Sequence, residues 1–295
     1  MSDINNIKIH PLTMKPNEAW DQITKKSWIQ KLCPCLAEST QPQVIDCDNK
    51  EPNTLVSENY IRIVCISDTH SQIETSQIVI PDGDIIIHAG DFSNIGLLQE
   101  VRKFNNWIGS LPHTHKIVIA GNHELSFDAD TICQVLPDDS DDTITVEKMK
   151  KELKNCTYLQ DSGVELYGIK IYGSPWQPEF GNWGFNLQRG VACLEKWNKI
   201  PNDTDILITH GPPLGYGDLC KNELRAGCVE LLNTVRLRVQ PKYHIYGHIH
   251  EGYGVRSDGQ TTFINASICN VNGLPNNKPI VFDIEIPEGY SKNKI

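Results

Sequence analysis

The sequence predicts an α/β chain of two packed mixed sheets with helices outside. Three observations carry that expectation. Five short apolar runs of β type each stop at a residue able to hold a metal ion. A helical pattern separates two of the early runs, which makes a βαβ unit. The last two apolar runs have no helix between them, as in a meander, so parallel and antiparallel pairing should coexist.

Residues 1–58 read as an extended or partly disordered arm, because Pro11, Pro16, Pro34, Pro42 and Pro52 interrupt it and apolar periodicity is poor. The stretch from Trp28 to Leu36, after Lys25 and Lys26, is an exception. It reads as a short apolar tuck onto the core with Cys33 and Cys35 as free thiols. Acylation of these cysteines is a second reading, and a redox or zinc role for Cys33-Pro34-Cys35 a third. The folded domain is assigned to 59–295.

Ile61–Ile66 is apolar except for Arg62 and predicts a buried strand, followed by Asp68 and His70 in its loop. Pro81-Asp82-Gly83-Asp84 is turn chemistry and launches the run Ile85–Ala89, which ends at Gly90-Asp91. His88, inside that run, reads as packed. Leu97, Leu98, Val101, Phe104, Trp107 and Ile108 follow helical spacing. His113 and His115 flank the next turn and take no role. The run Lys116–Ala120 ends at Gly121-Asn122-His123-Glu124, and Glu124–Asp128 reads as a helix start whose positive end favours an anion. Asp138, Asp139, Asp141, Asp142 and Glu147 lack the order of an EF-hand and read as a solvated insertion.

Val164–Gly173 predicts paired strands. Trp176, Phe180, Trp183 and Phe185 then crowd a loop, read as a packed cluster, with a stacking wall for a nucleobase as the second reading. Trp176 is the wall residue singled out as a substrate contact, and Arg189 is placed on a phosphate oxygen. Ile206–Thr209 ends at His210. A helix is predicted from Asn222 to about Arg238, with Leu224, Cys228, Leu231 and Val235 on one face and Pro241 as its stop. The strand Tyr243–Tyr246 leads to Gly247-His248-Ile249-His250. Alternate residues of an extended segment face one way, so His248 and His250 reach one site, and Gly247 lets backbone approach it. Thr262–Ser267 and Ile280–Ile286 are the final strands. Ligand sites in open α/β sheets lie outside the carboxyl ends of strands, where these polar residues recur.

The 295-residue chain carries 37 acidic and 27 basic side chains, a net charge of −10. Such a surface disfavours duplex nucleic acid as a partner. Ten cysteines without paired metal spacing, and the lack of a leader pattern at the start, predict a reducing, cytoplasmic setting. No apolar run reaches the ~20 residues of a membrane span.

Asp68-x-His70, Gly90-Asp91, Gly121-Asn122-His123-Glu124, His210 and Gly247-His248-x-His250 occur in an order that resembles the calcineurin-like metallophosphoesterase superfamily over residues 60–286. The segments Cys65–Ser71, Ile117–Glu124, Trp183–Asn186 and His250–Gly254 resemble its metallophosphoesterase-domain-containing subfamily. That resemblance implies a four-layer α/β/β/α sandwich. Some subfamily members carry Gly at the first His of the Gly-His-x-His motif, whereas His248 is present here.

Two carboxylates, an amide and four histidines form a mixed oxygen and nitrogen donor set suited to manganese, iron, zinc or cobalt. Manganese is the expected ion, with magnesium as a further alternative. Two dications need a shared anion between them, and Asp91 is the natural bridge. The resemblance implies Asp68, His70 and His250 on one ion and Asn122, His210 and His248 on the other. Water bridging the ions would be acidified towards a pKa of about 7 and attack phosphorus in line. His123, next to Asn122, should lie beside the ions, and its family role is to protonate the leaving oxygen. Glu124 is expected to hold the His123 tautomer, so His123, Glu124 and Asp91 form the expected catalytic group. The predicted function is phosphodiester hydrolysis, with cyclic nucleotides as the substrate class. The alternatives are a phosphatase or nuclease acting on another substrate class and a metal- or nucleotide-binding scaffold of the same fold. Oligomeric state is not legible.

Overall fold

Alternation along the strands sorts the apolar side chains into three separate layers of core, and these layers define the architecture. The computed structural model describes residues 7–32, 45–46, 57–73, 77–135 and 145–292. Cys33, Cys35, Asp138, Asp139, Asp141 and Asp142 lie outside the described residues. The described strands are, in chain order, β1 (Ile45–Asp46), β2 (Tyr60–Ile66), β3 (Ile85–Ala89), β4 (His115–Ile119), β5 (Thr157–Tyr158), β6 (Ser162–Leu166) and β7 (Ile169–Ser174). They continue with β8 (Gln177–Pro178), β9 (Asn186–Leu187), β10 (Ile206–Thr209), β11 (Tyr243–Tyr246), β12 (Gly254–Ser257), β13 (Thr262–Asn265) and β14 (Ile280–Glu285). The helices are α1 (Pro16–Leu32), α2 (Leu98–Ser110), α3 (Val146–Glu152), α4 (Val191–Trp197) and α5 (Val229–Thr234).

One sheet has the order β14-β2-β3-β4-β5 and the other β1-β12-β13-β11-β10-β7-β6, each mixing parallel and antiparallel pairs. Ile61, Ile63, Ile85, Ile87, Ile117 and Ile119 from the first sheet meet Ile171, Ile206, Ile208, Ile245 and Ile264 from the second in the middle core. The intervening residues Val64, Ile66, Ile86 and Val118 point the other way, onto Val101, Phe104 and Ile108 of α2 and Met149 of α3. On the far side Leu207, Tyr246 and Phe263 pack on Cys193 and Trp197 of α4 and Leu231 and Leu232 of α5. Helices, sheet, sheet and helices thus make the α/β/β/α sandwich, and the period of two in each strand is its cause.

Three expectations differ from the structure. Residues read as extended form α1, with Pro16 at its first position, where a missing N–H costs nothing, and Ala19 buried in the α4/α5 core. The helix predicted from Asn222 begins only at Val229, and Val235–Val239 continues it as a π-helical turn. The Arg189 guanidinium takes the Ala226 and Gly227 carbonyls, Ala226 N–H goes to Asp218 O and Cys228 N–H to Pro212 O, so these groups are diverted from a helix ladder before Val229. Leu224, grouped by spacing on one face with Cys228, Leu231 and Val235, is 58% exposed while those three are buried. The helix expected after Glu124 is a single 3₁₀ turn, Leu125–Phe127. Asp128 ends it in extended backbone (φ −112°, ψ 130°), with its carboxylate accepting from the Phe185 N–H at 2.7 Å, and so short a turn sums little dipole.

Register brings the polar strand ends together. Ile66 pairs with His88 and Ala89 with Ile119, while Ile208 pairs with Ile245. A bridge between Ser67 and Ser267 and a hydrogen bond from Gly247 N–H to His210 O (3.0 Å) close the sheets at that end. His88 is a packed residue: it is buried, bonded to Thr69 Oγ1 at 2.9 Å and edge-on to Phe104.

Candidate metal centre

Asp68, His70, Asp91 and His248 all have positive φ (53°, 42°, 56° and 65°). Non-glycine residues rarely take this region, and such strain persists where surrounding bonds over-determine it. Here those bonds are visible. Asp68 N–H donates to Gly90 O, and His70 N–H to Asp91 O, each at 3.0 Å. His248 N–H reaches both Asp68 carboxylate oxygens at 3.0 and 3.1 Å. His123 N–H donates to Asp91 Oδ1 at 2.9 Å.

The predicted ligands converge. His250 Nε2 lies 3.5 Å from Asp68 Oδ1 and 3.4 Å from His70 Nε2. His210 Nε2 lies 3.2 Å from Asp91 Oδ2 and 2.9 Å from Asn122 Oδ1. Asp68, His70 and His250 form one donor group and Asp91, His210 and His248 another, with the donor atoms of each within 4.8 Å of one another. A third group, His70, Asp91 and His123, overlaps both.

The donor set fits divalent ions. Among the described residues, the ion-pair partners of Asp68 and Asp91 are His250, His210 and His123. Two buried carboxylates thus lie against imidazoles, with no lysine or arginine paired to them among the described residues, an arrangement that bound divalent cations would compensate. His210 Nδ1–H donates to Ala89 O at 2.9 Å, and His250 Nδ1–H to Asn270 O at 3.0 Å, which turns each Nε2 to the ligand side. A Cβ at Gly247 would run into the Asp68 carboxylate and Ser67, and one at Gly121 into Asp91 and His210. The glycines let the backbone close around the carboxylates.

Titration follows the same charges. Burial alone would raise Asp68, but the His250 hydrogen bond and the charge of His210 outweigh it and hold the carboxyl at about 2. Burial opposes ionisation of Asp91 too, and His210 overcomes it, so Asp91 lies well below the usual carboxylate range. Burial opposes charge on His210, but Asp91 raises it to about 9. Desolvation pushes His248 down to about 3.

Glu124 is turned away from His123, contrary to expectation. Its carboxylate accepts from Asp91 N–H (2.9 Å), Gly121 N–H (2.6 Å), Ser93 N–H (2.8 Å) and Ser93 O–H (2.6 Å). The group bound to His123 Nδ1–H is the Asn94 carbonyl, at 2.6 Å. Backbone carbonyls such as Asn94, Ala89 and Asn270 leave no mark in a residue pattern, so no sequence signal could have found them.

The centre forms the floor of a cleft of about 580 Å³, walled by Phe180, Leu224, Arg225 and Val271 among others. Trp176 is not among the lining residues. It packs edge-on to Phe185, carries the Lys196 ammonium over its ring and donates to Asp161. Arg189 does border the cleft, but both terminal nitrogens are spent on the Ala226 and Gly227 carbonyls. The aromatic cluster therefore divides. Phe185 is fully buried, Phe180 is 57% exposed with its ring edge-on to His248, and Trp183 stacks on His123.

A two-sheet sandwich with buried Asp and His groups where its strands end defines a metal-dependent phosphoester hydrolase. The chain belongs to the calcineurin-like phosphoesterase family, whose pattern matches residues 61–252; the family uses divalent metal ions. It is 57% identical to human metallophosphoesterase domain-containing protein 1 over 237 residues, covering 77% of this chain and 72% of the human one. It is 45% identical over 296 residues to a UPF0046 protein of Caenorhabditis elegans, covering 99% of this chain and all of the other.

Proposed function

We propose that this chain hydrolyses small phosphodiesters with two divalent ions, and that cyclic nucleotides are the class it takes. The observation that carries the reading is the place of Asp91, a member of overlapping donor groups at the floor of the cleft. Its volume of about 580 Å³ falls within the roughly 300–1,000 Å³ typical of small-molecule sites. We assign Asp68, His70 and His250 to one ion, Asn122, His210 and His248 to the other, and Asp91 to both. Ions bound there would polarise the phosphoryl group and acidify water, and we take manganese as the ion from among the manganese, iron, zinc and cobalt that this mixed oxygen and nitrogen donor set suits.

The protein's own groups do the rest. His123, anchored at Nδ1 by Asn94 O, has Nε2 4.0 Å from Asp91 Oδ2, on the side of the centre. From there we assign it to pass a proton to the leaving oxygen, so it acts on the reacting atoms rather than on the ions. Phe180 offers a flat apolar face on the cleft wall, which suits a nucleobase. The net charge of −10 argues against duplex nucleic acid as substrate. No helix among the described residues is long and apolar enough to cross a membrane. Seven cysteines among the described residues are free thiols, which supports a cytoplasmic setting.

The test is turnover of bis-p-nitrophenyl phosphate, its monoester counterpart and 2′,3′- and 3′,5′-cyclic AMP by chelated protein, then with Mn²⁺, Mg²⁺ or Zn²⁺ restored. Diester turnover that returns with metal and falls in His248→Gly supports the reading. Two ions bound without turnover of any substrate would instead favour a binding scaffold. His123→Ala should keep its metal content while losing roughly 10²–10⁴-fold in turnover. Metal loss in parallel with turnover would make His123 a ligand.

A further inference from the structure

We propose that Trp183 is a positioning residue for His123, clamping its imidazole so that Nε2 stays on the side of the metal centre. This rests on the phosphodiesterase reading above. The indole and imidazole rings lie 4.1 Å apart at 28°, a stacked pair. The His70 ring meets the same imidazole edge-on at 4.5 Å. The Asn94 carbonyl holds Nδ1 at 2.6 Å, and Asp91 Oδ1 holds the His123 N–H at 2.9 Å. The hydrogen bond at Nδ1 fixes one ring atom, but the ring can still tilt about it. The indole face removes that remaining freedom.

The loop carrying Trp183 is tied to the residue it would position. Gly184 N–H donates to Asn122 O at 2.9 Å, one residue before His123. A Cβ at Gly184 would stand 3.1 Å from that same oxygen, so the approach is close. Phe185, at φ 56°, donates its N–H to Asp128 at 2.7 Å. On the other side of the loop, Asn186 bonds Phe180 N–H at 3.1 Å and Gly181 O at 2.9 Å. The 180–186 segment is therefore assembled by its own bonds and anchored to the backbone of Asn122. It presents Trp183 to His123 and Phe180 to His248. Proton delivery to a leaving oxygen demands placement to a fraction of an ångström, and a displacement of about 1 Å can cost roughly 10²-fold in rate. A residue acting this way should lower kcat without weakening substrate binding.

The experiment compares the metal-loaded full chain with Trp183→Ala, Trp183→Phe, His123→Ala and the His123→Ala/Trp183→Ala double variant. The substrates are diphenyl phosphate, whose phenolate needs protonation, and bis-p-nitrophenyl phosphate, whose leaving group needs it less. Trp183→Ala should lower kcat on diphenyl phosphate by about 10- to 100-fold, with a smaller loss on the nitrophenyl ester, unchanged metal content and KM within about threefold. Trp183→Phe should recover to within a few-fold of wild type. In the His123→Ala background, removing Trp183 should cost nothing further, because the two act as a unit. Equal losses on both substrates, a rise in KM alone, metal loss or full additivity in the double variant would overturn the proposal.

Absence of wild-type turnover on either diester would defeat the phosphodiesterase reading rather than the clamp. The clamp is then decided in the metal-free protein by NMR of isotope-labelled histidine. The ring protons of His123 should be shifted upfield by the indole in wild type, partly so in Trp183→Phe, and should return downfield in Trp183→Ala. Resonances that do not move would overturn it.

Discussion

Glu124 shows how one buried carboxylate can organise a site it does not enter. Its two oxygens gather four donors from three loop residues, Asp91, Ser93 and Gly121, and so draw the loop after β3 against the loop after β4. Burial and the neighbouring Asp91 carboxylate push its pKa up to about 8, against the pull of these donors. An amide cannot replace it, because its NH₂ group would face at least one backbone N–H whichever way it turned. Above pH 8, where the carboxyl is ionised, Glu124→Gln should therefore lose about 3 kcal/mol of stability, from two hydrogen bonds to a charged acceptor at about 1.5 kcal/mol each or more. Metal affinity should fall roughly 10- to 100-fold, as when partners of ligands are removed elsewhere. Urea unfolding and metal titration check both figures; unchanged metal affinity would show that Asp91 is placed without Glu124. Sequence made Glu124 visible as a polar residue beside Asn122-His123, but its direction depends on where Ser93 lies in space, which no spacing encodes.

At the scale of elements, the strand ends were legible because polar residues stop apolar runs, and burial of those runs is a local property of sequence. Helix extents were less legible. Asn222–Arg238 has helical spacing, yet residues before Val229 are claimed by Arg189 and Pro212, which are distant in the chain. Strand β11 also carries a titration that composition does not reveal. His244 is buried, bonded through Nε2 to Thr209 Oγ1 at 2.8 Å, and its Nδ1 has no hydrogen-bond partner among the described residues. Desolvation lowers its pKa from 6.5 to about 3. A depressed folded-state pKa contributes stability that is present above 6.5 and is lost as pH falls towards 3. The slope in that window is about 1.4 kcal/mol per pH unit. His244→Phe removes the proton site while its ring can still pack beside Tyr246 and Phe263, the present ring neighbours. Between pH 7 and 5 the variant should lose about 2 kcal/mol less stability than wild type. Parallel losses in the two proteins would mean that His244 does not charge on unfolding.

Across the whole molecule, the two sheets are joined at the end that holds the buried carboxylates Asp68 and Asp91. The middle core is built from isoleucines of both sheets, but the strand ends beyond it hold Asp68 and Asp91, buried and paired with imidazoles. Cations there would bind loops from both sheets, since Asp68, His70, Asp91 and Asn122 follow strands of one sheet and His210, His248 and His250 follow strands of the other. Metal binding should therefore act as a staple between sheets and appear as global stability. A site held at 100 times its Kd adds about 2.7 kcal/mol; for a folded unit of this size that is a rise in Tm of roughly 5–10 °C. Removing His250 should abolish one site's increment and leave the other. Removing Asp91 as Asp91→Asn should abolish most of both, because both assigned ions share it. The check is calorimetry of wild type, His250→Ala and Asp91→Asn, each chelated and then titrated with Mn²⁺. Equal increments lost in the two variants would contradict a shared Asp91, and no increment in wild type would remove the staple altogether. The distinction depends on the topology, since a ligand serving one ion closes one set of loops, whereas a shared ligand couples the closure of both.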